Sequence, residues 1–557
     1  MERIKSESNF LRGRIAEELA QPTDHFTDPT VQLLKSFGIY QQDDRDRRRQ
    51  LGDPCRKSMK VYQFMVRTAV PGGRLTSGQL LAQLDLCEEQ GDRTLRITGR
   101  QNLELHGVEK PALRAVLRRI HESGLTTKAA SGDVRRNVTC CPAPFRGDPV
   151  HGEMQDLAQR LSDELAPHMA AYDEIWLAAA PASTPADPTE AEPLYGKTFL
   201  PRKFKVAIGL PGDNCVDLYA QDVGLMTICR DFHVVGYNVL VGGGMGMTPA
   251  RATTFPALAQ RMAFAYPGHV VDVVKAIMTV YRDHGDRTDR RRARLKYLVA
   301  DWGVERFKAE VEKVLGYVLE APQPDDVWDI DDHLGWREQG DGRWFYGLHV
   351  ESGRIADRNS VRLKTALGEI CRKHQLAVRL TPGQSLLLSD IQWEDRLGIE
   401  DLLRRHGVKL ENEISNIRRW SNACVGLPNC SQAVTESERA LPGVIDQLEI
   451  DLARLGLAKE VLSLRMTGCT NGCSRPFNVD VGIVGRTAGR YAIYLGGRRT
   501  GDRLGFLYRD GVPLEQLVET LTPVLAYFKL FRSEGESFGD FCFRKGRDDL
   551  LQNISVV

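Results

Sequence analysis

Two close pairs of cysteines are the residues of this chain best suited to chemistry. Cys424 and Cys430 form the first pair, and Cys469 and Cys473 form the second. Four thiols match the number of ligands of a [4Fe-4S] cluster. The pattern therefore predicts an iron-sulfur cluster bound by these four residues.

The surroundings of the second pair favour a bulky inorganic group. This pair lies in the segment TGCTNGC, where Gly468 and Gly472 flank the sulfurs. A glycine has no side chain, so backbone N–H groups can approach the sulfurs and room remains for a cluster. A structural zinc site and inert thiols stay open as alternatives, although zinc ligand pairs usually enclose only about two to four residues.

The other eight cysteines show no such pairing, and we interpret them as small buried apolar residues. We expect each to be replaceable without loss of a cofactor. They are Cys55, Cys87, Cys140, Cys141, Cys215, Cys229, Cys371 and Cys542.

Basic residues cluster near the ends of predicted strands. In the segment LPRKFK, strand alternation places Lys203 and Lys205 on one face and Phe204 on the other. Two neighbouring ammonium groups repel each other unless an anion lies between them, so the segment predicts a ligand with several negatively charged oxygens. A solvated basic face is the alternative. Further basic residues of this kind are Arg67, Arg96, Arg100, Arg135, Arg136 and Arg202.

The chain repeats itself, which bears on how these residues are positioned. The segment LRITGRQNLEL at 95–105 recurs as VRLTPGQSLLL at 378–388, and three further pairs of segments occur in the same order in both halves. Colinear repeats indicate a duplication, with two related halves facing each other across a pseudo-two-fold axis and a shared cleft. The further pairs are 64–76 with 346–356, 135–144 with 418–428, and 237–246 with 491–500.

Composition narrows the class of protein. The 557 residues are too many for a single core and carry 75 basic against 74 acidic residues, a balance that gives no overall attraction to nucleic acid or to a membrane surface. No signal peptide and no apolar run of about 18 residues occurs, so we expect a cytoplasmic protein with reduced thiols. The glycine runs lack the context of a dinucleotide site, and no flavin or NADPH domain is expected.

Several motifs together resemble the assimilatory sulfite reductases of the siroheme nitrite/sulfite reductase family. They are YQQDDRD, LRxTxRQ, LPRKFK, NVLVGGG and TGCxNGC, and the similarity runs from Ser8 to Glu536. The resemblance implies six-electron reduction of sulfite to sulfide in sulfate assimilation and cysteine biosynthesis. It also implies a siroheme coupled to the [4Fe-4S] cluster through Cys473.

The resemblance further assigns roles to the basic residues. Arg67, Arg136, Lys203 and Lys205 correspond to the substrate-binding quartet of the family. The siroheme carries many carboxylates, and its periphery is expected to contact Arg96, Arg100, Arg202, Asn471 and Arg475. Nitrite reductases of the family resemble PRKWN where this chain has PRKFK, so Lys205 favours sulfite, with nitrite reduction as the alternative.

The electron donor stays open between two classes. Some segments resemble ferredoxin-dependent enzymes, and others resemble the hemoprotein that works with an NADPH-oxidising flavoprotein. A metal-stabilised nucleic-acid-binding protein is the remote alternative, and neither a membrane nor a nucleic acid is an expected partner.

We expect an α+β fold with the duplicated architecture of this family. The expected parts are an N-terminal arm (1–64), a two-part ferredoxin-like domain (65–130 and 343–411), a middle domain of the 4Fe-4S type (131–342), and a C-terminal domain that binds the cluster and siroheme (412–557).

Overall fold

A computed structural model describes residues 1–50, 60–178 and 192–553; Cys55 lies outside these ranges. The strands in chain order are β1 Ile39–Asp43, β2 Tyr62–Thr68, β3 Arg74–Thr76, β4 Leu95–Ile97, β5 Leu103–Val108, β6 Thr139–Cys140, β7 Val206–Gly209, β8 Val223–Arg230, β9 His233–Val241, β10 Gln260–Ala265, β11 Gly335–Glu338, β12 Trp344–Leu348, β13 Arg354–Ile355, β14 Asp357–Arg358, β15 Val361–Arg362, β16 Ala377–Leu380, β17 Leu386–Ile391, β18 Ser421–Ala423, β19 Leu464–Thr467, β20 Val481–Thr487, β21 Arg490–Leu495 and β22 Phe506–Pro513.

Helices connect and cover these strands. Helix Ser77–Gln90 begins with a capping box, in which Thr76 and Gln79 satisfy each other's backbone N–H groups. The α-helices are Glu2–Glu7, Ile15–Leu19, Asp28–Leu34, Arg45–Gln50, Ser77–Gln90, Leu113–Glu122, Val150–Glu164, Ala170–Tyr172, Val270–His284, Leu295–Trp302, Val304–Leu315, Leu363–Lys373, Arg396–Arg405, Asn416–Arg419, Leu441–Arg454, Leu517–Phe531 and Phe538–Gln552.

Two antiparallel sheets share one topology and exchange a strand. The first has the order β1-β2-β5-β4-β13, and the second has the order β11-β12-β17-β16-β3. Strand β13 of the second half completes the first sheet, where Arg354 is paired with Arg96, and β3 of the first half completes the second sheet, where Arg74 is paired with Arg379. The predicted duplication is confirmed for this pair of sheets.

Two mixed sheets repeat a second topology. Strands β6, β7 and β8 are parallel, and β9 and β10 continue the sheet antiparallel. Strands β18 to β22 have the same order and directions. The repeats predicted at 135–144 with 418–428 and at 237–246 with 491–500 thus occupy matching positions in the two mixed sheets. The α+β fold with duplicated architecture is confirmed.

The hydrophobic core has two main parts. One core runs from Leu11 to Leu410 and joins both antiparallel sheets to the first mixed sheet. The other lies between the second mixed sheet and the helices that follow it, from Ile417 to Leu550. None of the helices in the described ranges combines the length and apolar character needed to cross a membrane.

Candidate functional site

The four paired cysteines lie at one edge of the second mixed sheet. Cys424 follows β18, and Cys469 and Cys473 follow the parallel neighbour β19, so the loops leave the sheet at the same edge. The backbone N–H of Cys424 donates to the carbonyl of Met466 at 3.1 Å, which joins the two loops. The structure therefore brings together residues that are distant in the sequence.

The four sulfurs influence one another electrostatically. Burial, together with the charges of the neighbouring Cys424 and Cys473, raises the pKa of Cys430 to about 12. Burial also raises the pKa of Cys469, with contributions from the other three sulfurs. Yet among the described residues no three of these sulfurs lie within 4.8 Å of one another. A tetrahedral zinc ion with bonds of about 2.3 Å would need its sulfurs about 3.8 Å apart, so the arrangement fits a larger cluster better than a single ion.

The glycines beside the cysteines are required by close contacts. The N–H of Gly468 donates to Cys424 Sγ at 3.2 Å, as expected for a backbone that approaches a sulfur. A Cβ on Gly468 would lie 2.7 Å from the Thr435 carbonyl oxygen. Gly472 has φ +60°, and a Cβ there would lie 3.0 Å from the Met245 carbonyl oxygen. These features fit residues that surround an inorganic group.

Cys473 is exposed and lies near two basic side chains. The charge of a Cys473 thiolate would raise the pKa values of both Arg67, on β2, and Lys203. Burial opposes the charge of Arg67, but Glu104 and Tyr40 outweigh it and raise its pKa. The last cluster cysteine and part of the predicted quartet therefore share one site.

The two lysines flank a short bridge rather than lying within a strand. Phe204 pairs with Arg135 in an isolated bridge, and β7 begins only at Val206. Burial lowers the pKa of Lys203 to about 7 and that of Lys205 well below its usual value, and the Lys203 charge adds to the effect on Lys205. Neither ammonium forms a hydrogen bond or ion pair with any residue in the described ranges. Such half-buried and uncompensated cations fit a site for a polyanion.

Arg136 completes the quartet. Its Nε donates to the Gly132 carbonyl at 3.0 Å, and burial lowers its pKa. Tyr40 lies beside it and packs against Arg67, whose guanidinium carbon is 5.4 Å from the ring centre. Burial opposes ionisation of Tyr40, but the charges of Arg136 and Arg67 outweigh it and lower the pKa to about 8. We call Arg67, Arg136, Lys203 and Lys205 the cation pocket.

A row of alternating charges holds Arg67 in place. Cross-strand pairing sets Arg67 opposite Glu104, and Glu104 opposite Arg96. Arg67 Nη2 donates to Glu104 Oε1 at 2.6 Å, and Arg96 Nε donates to Glu438 Oε2 at 2.7 Å. Arg354 binds the same Glu438 at 2.6 Å and 2.9 Å. We call these five residues the charge ladder.

Three of the predicted siroheme contacts are already engaged with protein atoms. Arg96 donates all of its groups within the protein, including Nη2 to the Ala423 carbonyl at 2.9 Å. Arg475 binds Asp217 and donates to the Gly99 carbonyl at 3.0 Å. Arg100 donates to Gln221 at 2.7 Å and leaves a buried Nε without a partner among the described residues.

The remaining predicted contacts keep more freedom. Arg202 lies 3.7 Å from Asp133, a carboxylate that it shares with Arg290. Asn471 is exposed, and its backbone carbonyl lies beside the glycine run, where a Cβ on Gly246 would come within 3.1 Å. The glycine run after β9 and the second cysteine pair therefore lie in contact.

The sequence analysis missed four residues of this site. Tyr40 is the first residue of the motif YQQDDRD, and Glu104 lies within the repeat, so each could have been found as a polar residue in a predicted strand. Asp222 accepts from the Lys205 N–H at 3.0 Å and from Arg294 Nη2 at 2.9 Å. No spacing signal links Asp222 or Arg294 to the lysines, because pairing of β7 with β8 brings Asp222 beside Lys205, and Arg294 lies far along the chain, just before helix Leu295–Trp302.

Comparison with known families places the chain in a group with this architecture. Residues 131–319 match the nitrite and sulphite reductase 4Fe-4S domain. Residues 57–123 and 337–406 match the nitrite/sulfite reductase ferredoxin-like half domain.

Individual relatives agree over nearly the whole chain. The sulfite reductase [NADPH] hemoprotein beta-component of Staphylococcus haemolyticus is 41% identical over 551 residues, covering 98% of this chain and 95% of the relative. The sulfite reductase [ferredoxin] of Synechococcus elongatus is 41% identical over 568 residues, covering 99% and 90%. The NirA protein of Mycobacterium tuberculosis superposes with a TM-score of 0.77 at 25% identity, covering 98% and 95%. This chain belongs to the nitrite and sulfite reductase family.

Proposed function

We propose that this protein reduces sulfite to sulfide with six electrons, using a siroheme coupled to a [4Fe-4S] cluster. The observation that carries the proposal is the position of Cys473, which lies near Arg67 and Lys203 at the edge of the cation pocket. A source of electrons and a set of cations suited to an oxyanion thus meet at one place. The relatives named as sulfite reductases support the same substrate.

The chain offers residues for both cofactors. Cys424, Cys430, Cys469 and Cys473 would hold the cluster, with Cys473 shared between cluster and siroheme. Arg100, Arg202 and Asn471 would contact the siroheme periphery, and Arg96 and Arg475 would position neighbouring loops through their protein contacts. When bound, the siroheme and cluster supply electrons in succession to a single substrate molecule.

The cation pocket would bind the substrate and supply protons. Arg67 and Arg136 are suited to hold oxyanion oxygens, because a guanidinium keeps its charge throughout the ordinary pH range. Lys203 and Lys205 are suited to donate protons, because their lowered pKa values bring the ammonium close to a neutral state. Three oxygens must leave sulfite as water, so proton delivery is as necessary as charge stabilisation.

Nitrite reduction with the same cofactors is the second candidate, and Lys205 is the residue that favours sulfite over it. The electron donor is a separate protein in this proposal, either a ferredoxin or an NADPH-oxidising flavoprotein, the two classes that the names of the relatives include.

The same proposal includes a division of the chain into four parts. They are an arm (1–64), a two-part domain (65–130 and 343–411), a middle domain (131–342) and a C-terminal domain (412–557).

The test begins with the absorption spectrum of the purified protein and an assay of its iron and acid-labile sulfide. Visible bands of siroheme together with cluster iron are expected. Sulfide production is then measured with a chemical reductant, with reduced ferredoxin, and with NADPH plus a flavoprotein partner. Protein that holds both cofactors but forms no sulfide from sulfite with any reductant contradicts the proposal, and ammonia from nitrite would then support the second candidate.

A further inference from the structure

A second group of metal-ligand side chains lies away from the cation pocket. Cys141, Asp213, Cys215 and His333 each offer one ligand atom, and these four atoms all lie within 4.8 Å of one another. All four residues are buried, with exposures of 1%, 9%, 8% and 2%. We call this group the buried ligand cluster.

The ligand atoms contact one another directly. Cys141 Sγ donates to Asp213 Oδ2 at 2.9 Å and lies 3.8 Å from His333 Nε2. His333 Nε2 also lies 3.0 Å from Asp213 Oδ2. A thiol, a carboxylate oxygen and a ring nitrogen therefore point at one another within the protein interior, where each would ordinarily need a separate polar partner.

Backbone N–H groups hold Asp213 in orientation, and a second carboxylate lies behind His333. Asp213 Oδ1 accepts from the N–H groups of Cys215 at 3.2 Å and Asp331 at 3.1 Å, which leaves Oδ2 to face the cluster. The other nitrogen of His333, Nδ1, is buried and lies 3.7 Å from Asp331 Oδ2. A carboxylate behind a histidine is the usual outer contact of a histidine that binds a metal.

The internal repeat supplies independent support. Cys140 on β6 is paired with Ile208 on β7, as Ala423 on β18 is paired with Met466 on β19. The next residue along, Cys141, donates its N–H to Ile208 at 3.2 Å, as Cys424 does to Met466 at 3.1 Å. Cys141 is therefore the counterpart of the first cluster cysteine.

The same register equates Cys215 with Cys473. Two residues further on, Asp217 and Arg475 have left-handed φ angles of 58° and 59°. Each donates its N–H to the carbonyl three residues earlier, at 3.0 Å in both halves. Pro211 stands at the position of Cys469, so the first half lacks that thiol. The duplicated site thus keeps two sulfurs, and Asp213 and His333 provide the other two ligands.

We propose that the buried ligand cluster binds one zinc ion as a structural site. Two thiolates, one imidazole and one carboxylate complete a tetrahedral set of ligands that zinc accepts and leave no open position for chemistry. The ligands come from the loops after β6 and β7 and from the segment before β11. The ion would therefore fasten the first mixed sheet to the second antiparallel sheet.

The test measures zinc in the holoenzyme, produced with zinc in the medium and treated with a chelator to remove loosely bound ions. About one zinc per chain is expected beside the cluster and siroheme iron. Cys215→Ser and His333→Gln should each lose most of this zinc, keep the cluster iron and the siroheme bands, and melt at a lower temperature. The buried thiol variant Cys371→Ser is the matched control and should keep its zinc, and Cys473→Ser should lose cluster iron but keep zinc.

X-ray absorption at the zinc edge of the unaltered enzyme gives a readout that does not depend on a variant folding. Two sulfurs at about 2.3 Å and two lighter atoms at about 2.0–2.1 Å are expected. Three results would each overturn the proposal. They are the absence of zinc from chelator-treated enzyme that has been dialysed against zinc, coordination of the zinc without sulfur, and a disulfide joining Cys141 to Cys215 in the freshly isolated protein.

Discussion

At the scale of single residues, the site depends on cations that the protein leaves uncompensated. Lys203 and Lys205 are half-buried, and neither pairs with a carboxylate in the described part of the chain. Holding two ammonium groups this way is unfavourable, as the lowered pKa values show. An anion that binds between them relieves the repulsion between the ammonium groups. This relief contributes to the free energy of anion binding.

The first prediction concerns specificity and the substitution Lys205→Asn. This change keeps a polar side chain but removes one positive charge and one proton donor. Loss of a charge-assisted contact of about 1.5–3 kcal/mol lowers kcat/KM for sulfite about ten- to a hundredfold. Nitrite carries less charge and should lose less. Both anions are compared with a chemical reductant, so that donor binding does not affect the result.

Lys308→Asn is the control, since Lys308 lies on helix Val304–Leu315 and contacts Glu312. It should leave both kcat/KM values unchanged. An equal loss for sulfite and nitrite in Lys205→Asn would show that Lys205 does not discriminate between them.

A second prediction follows from the pKa of about 7 at Lys203. The ammonium form binds an anion, so this contribution to affinity is complete below the pKa and is lost as the pH rises through it. Carboxylates of the cofactor would raise the pKa, which places the loss at or above about pH 7. Arginine stays charged throughout, so the ratio of kcat/KM in Lys203→Arg to that in the unaltered enzyme should rise with pH.

Both enzymes are assayed with the same substrate, so ionisation of sulfite changes both kcat/KM values equally and does not affect their ratio. It is measured between about pH 6 and pH 10, a range that spans the lysine titration. A ratio that stays constant over this range would mean that Lys203 does not titrate there or does not contact the substrate.

At the scale of secondary-structure elements, the register of the paired strands fixes the position of Arg67 through the ion pairs of the charge ladder. Three strands carry Arg67, Glu104 and Arg96 side by side, and the exchanged strand β13 adds Arg354. Burial alone would raise the pKa of Glu438, but Arg354 and Arg96 hold it at about 2. The carboxylates therefore stay charged between buried guanidinium groups, and each depends on its neighbours.

The third prediction is that Glu104→Gln destabilises the protein strongly. The amide keeps the shape of the side chain but removes the negative charge between Arg67 and Arg96. Breaking a buried ion pair from one side costs about 3–5 kcal/mol, so the midpoint of urea denaturation should fall clearly. Arg67 would also lose its anchor, and kcat/KM for sulfite should fall with it.

Glu89→Gln is the matched control, because Glu89 forms an exposed pair with Arg119. A surface pair contributes at most about 1 kcal/mol. A similar small effect for Glu104→Gln would mean that the ladder does not hold the first antiparallel sheet together.

Some features of the fold and the site could be predicted from the sequence, and others could not, for physical reasons. Local spacing indicated the pairs around Cys424 and Cys469, and the repeats gave the order of strands in each half. The exchange of β3 and β13 leaves no local signal, since it depends on how the halves pack. Arg96 was expected at the siroheme from the family resemblance, and no local signal indicates its ion pair with Glu438, which lies far along the chain. Cys141 was interpreted as an ordinary buried thiol because Asp213 and His333 lie far from it in the sequence.

At the scale of the whole molecule, the duplication has produced two unlike sites. Strand register equates the Arg67–Glu104 pair with Gly347 and Leu387, which are paired on β12 and β17. The N–H of Lys205 and that of Ser463 both bind an aspartate, at 3.0 Å and 2.8 Å, which marks them as counterparts. In the proposed site, the first half therefore supplies the cations and the second half supplies the cysteines, so both halves would be needed for reduction.

The last prediction tests this asymmetry with one substitution made in both halves. The repeats RRNVTCC and RRWSNAC equate Arg136 with Arg419. Arg136 lies in the cation pocket with its charge available, whereas Arg419 Nε binds Asp332 Oδ2 at 2.8 Å and is neutralised there. Arg136→Gln should lower kcat/KM for sulfite about tenfold or more through loss of a charge-assisted contact. Arg419→Gln should change stability but leave kcat/KM within about twofold, because its partner is a carboxylate of the protein. Both variants are assayed with a chemical reductant at matched cofactor content. Equal losses of activity would show that Arg419, in the second half of the chain, also takes part in the reaction.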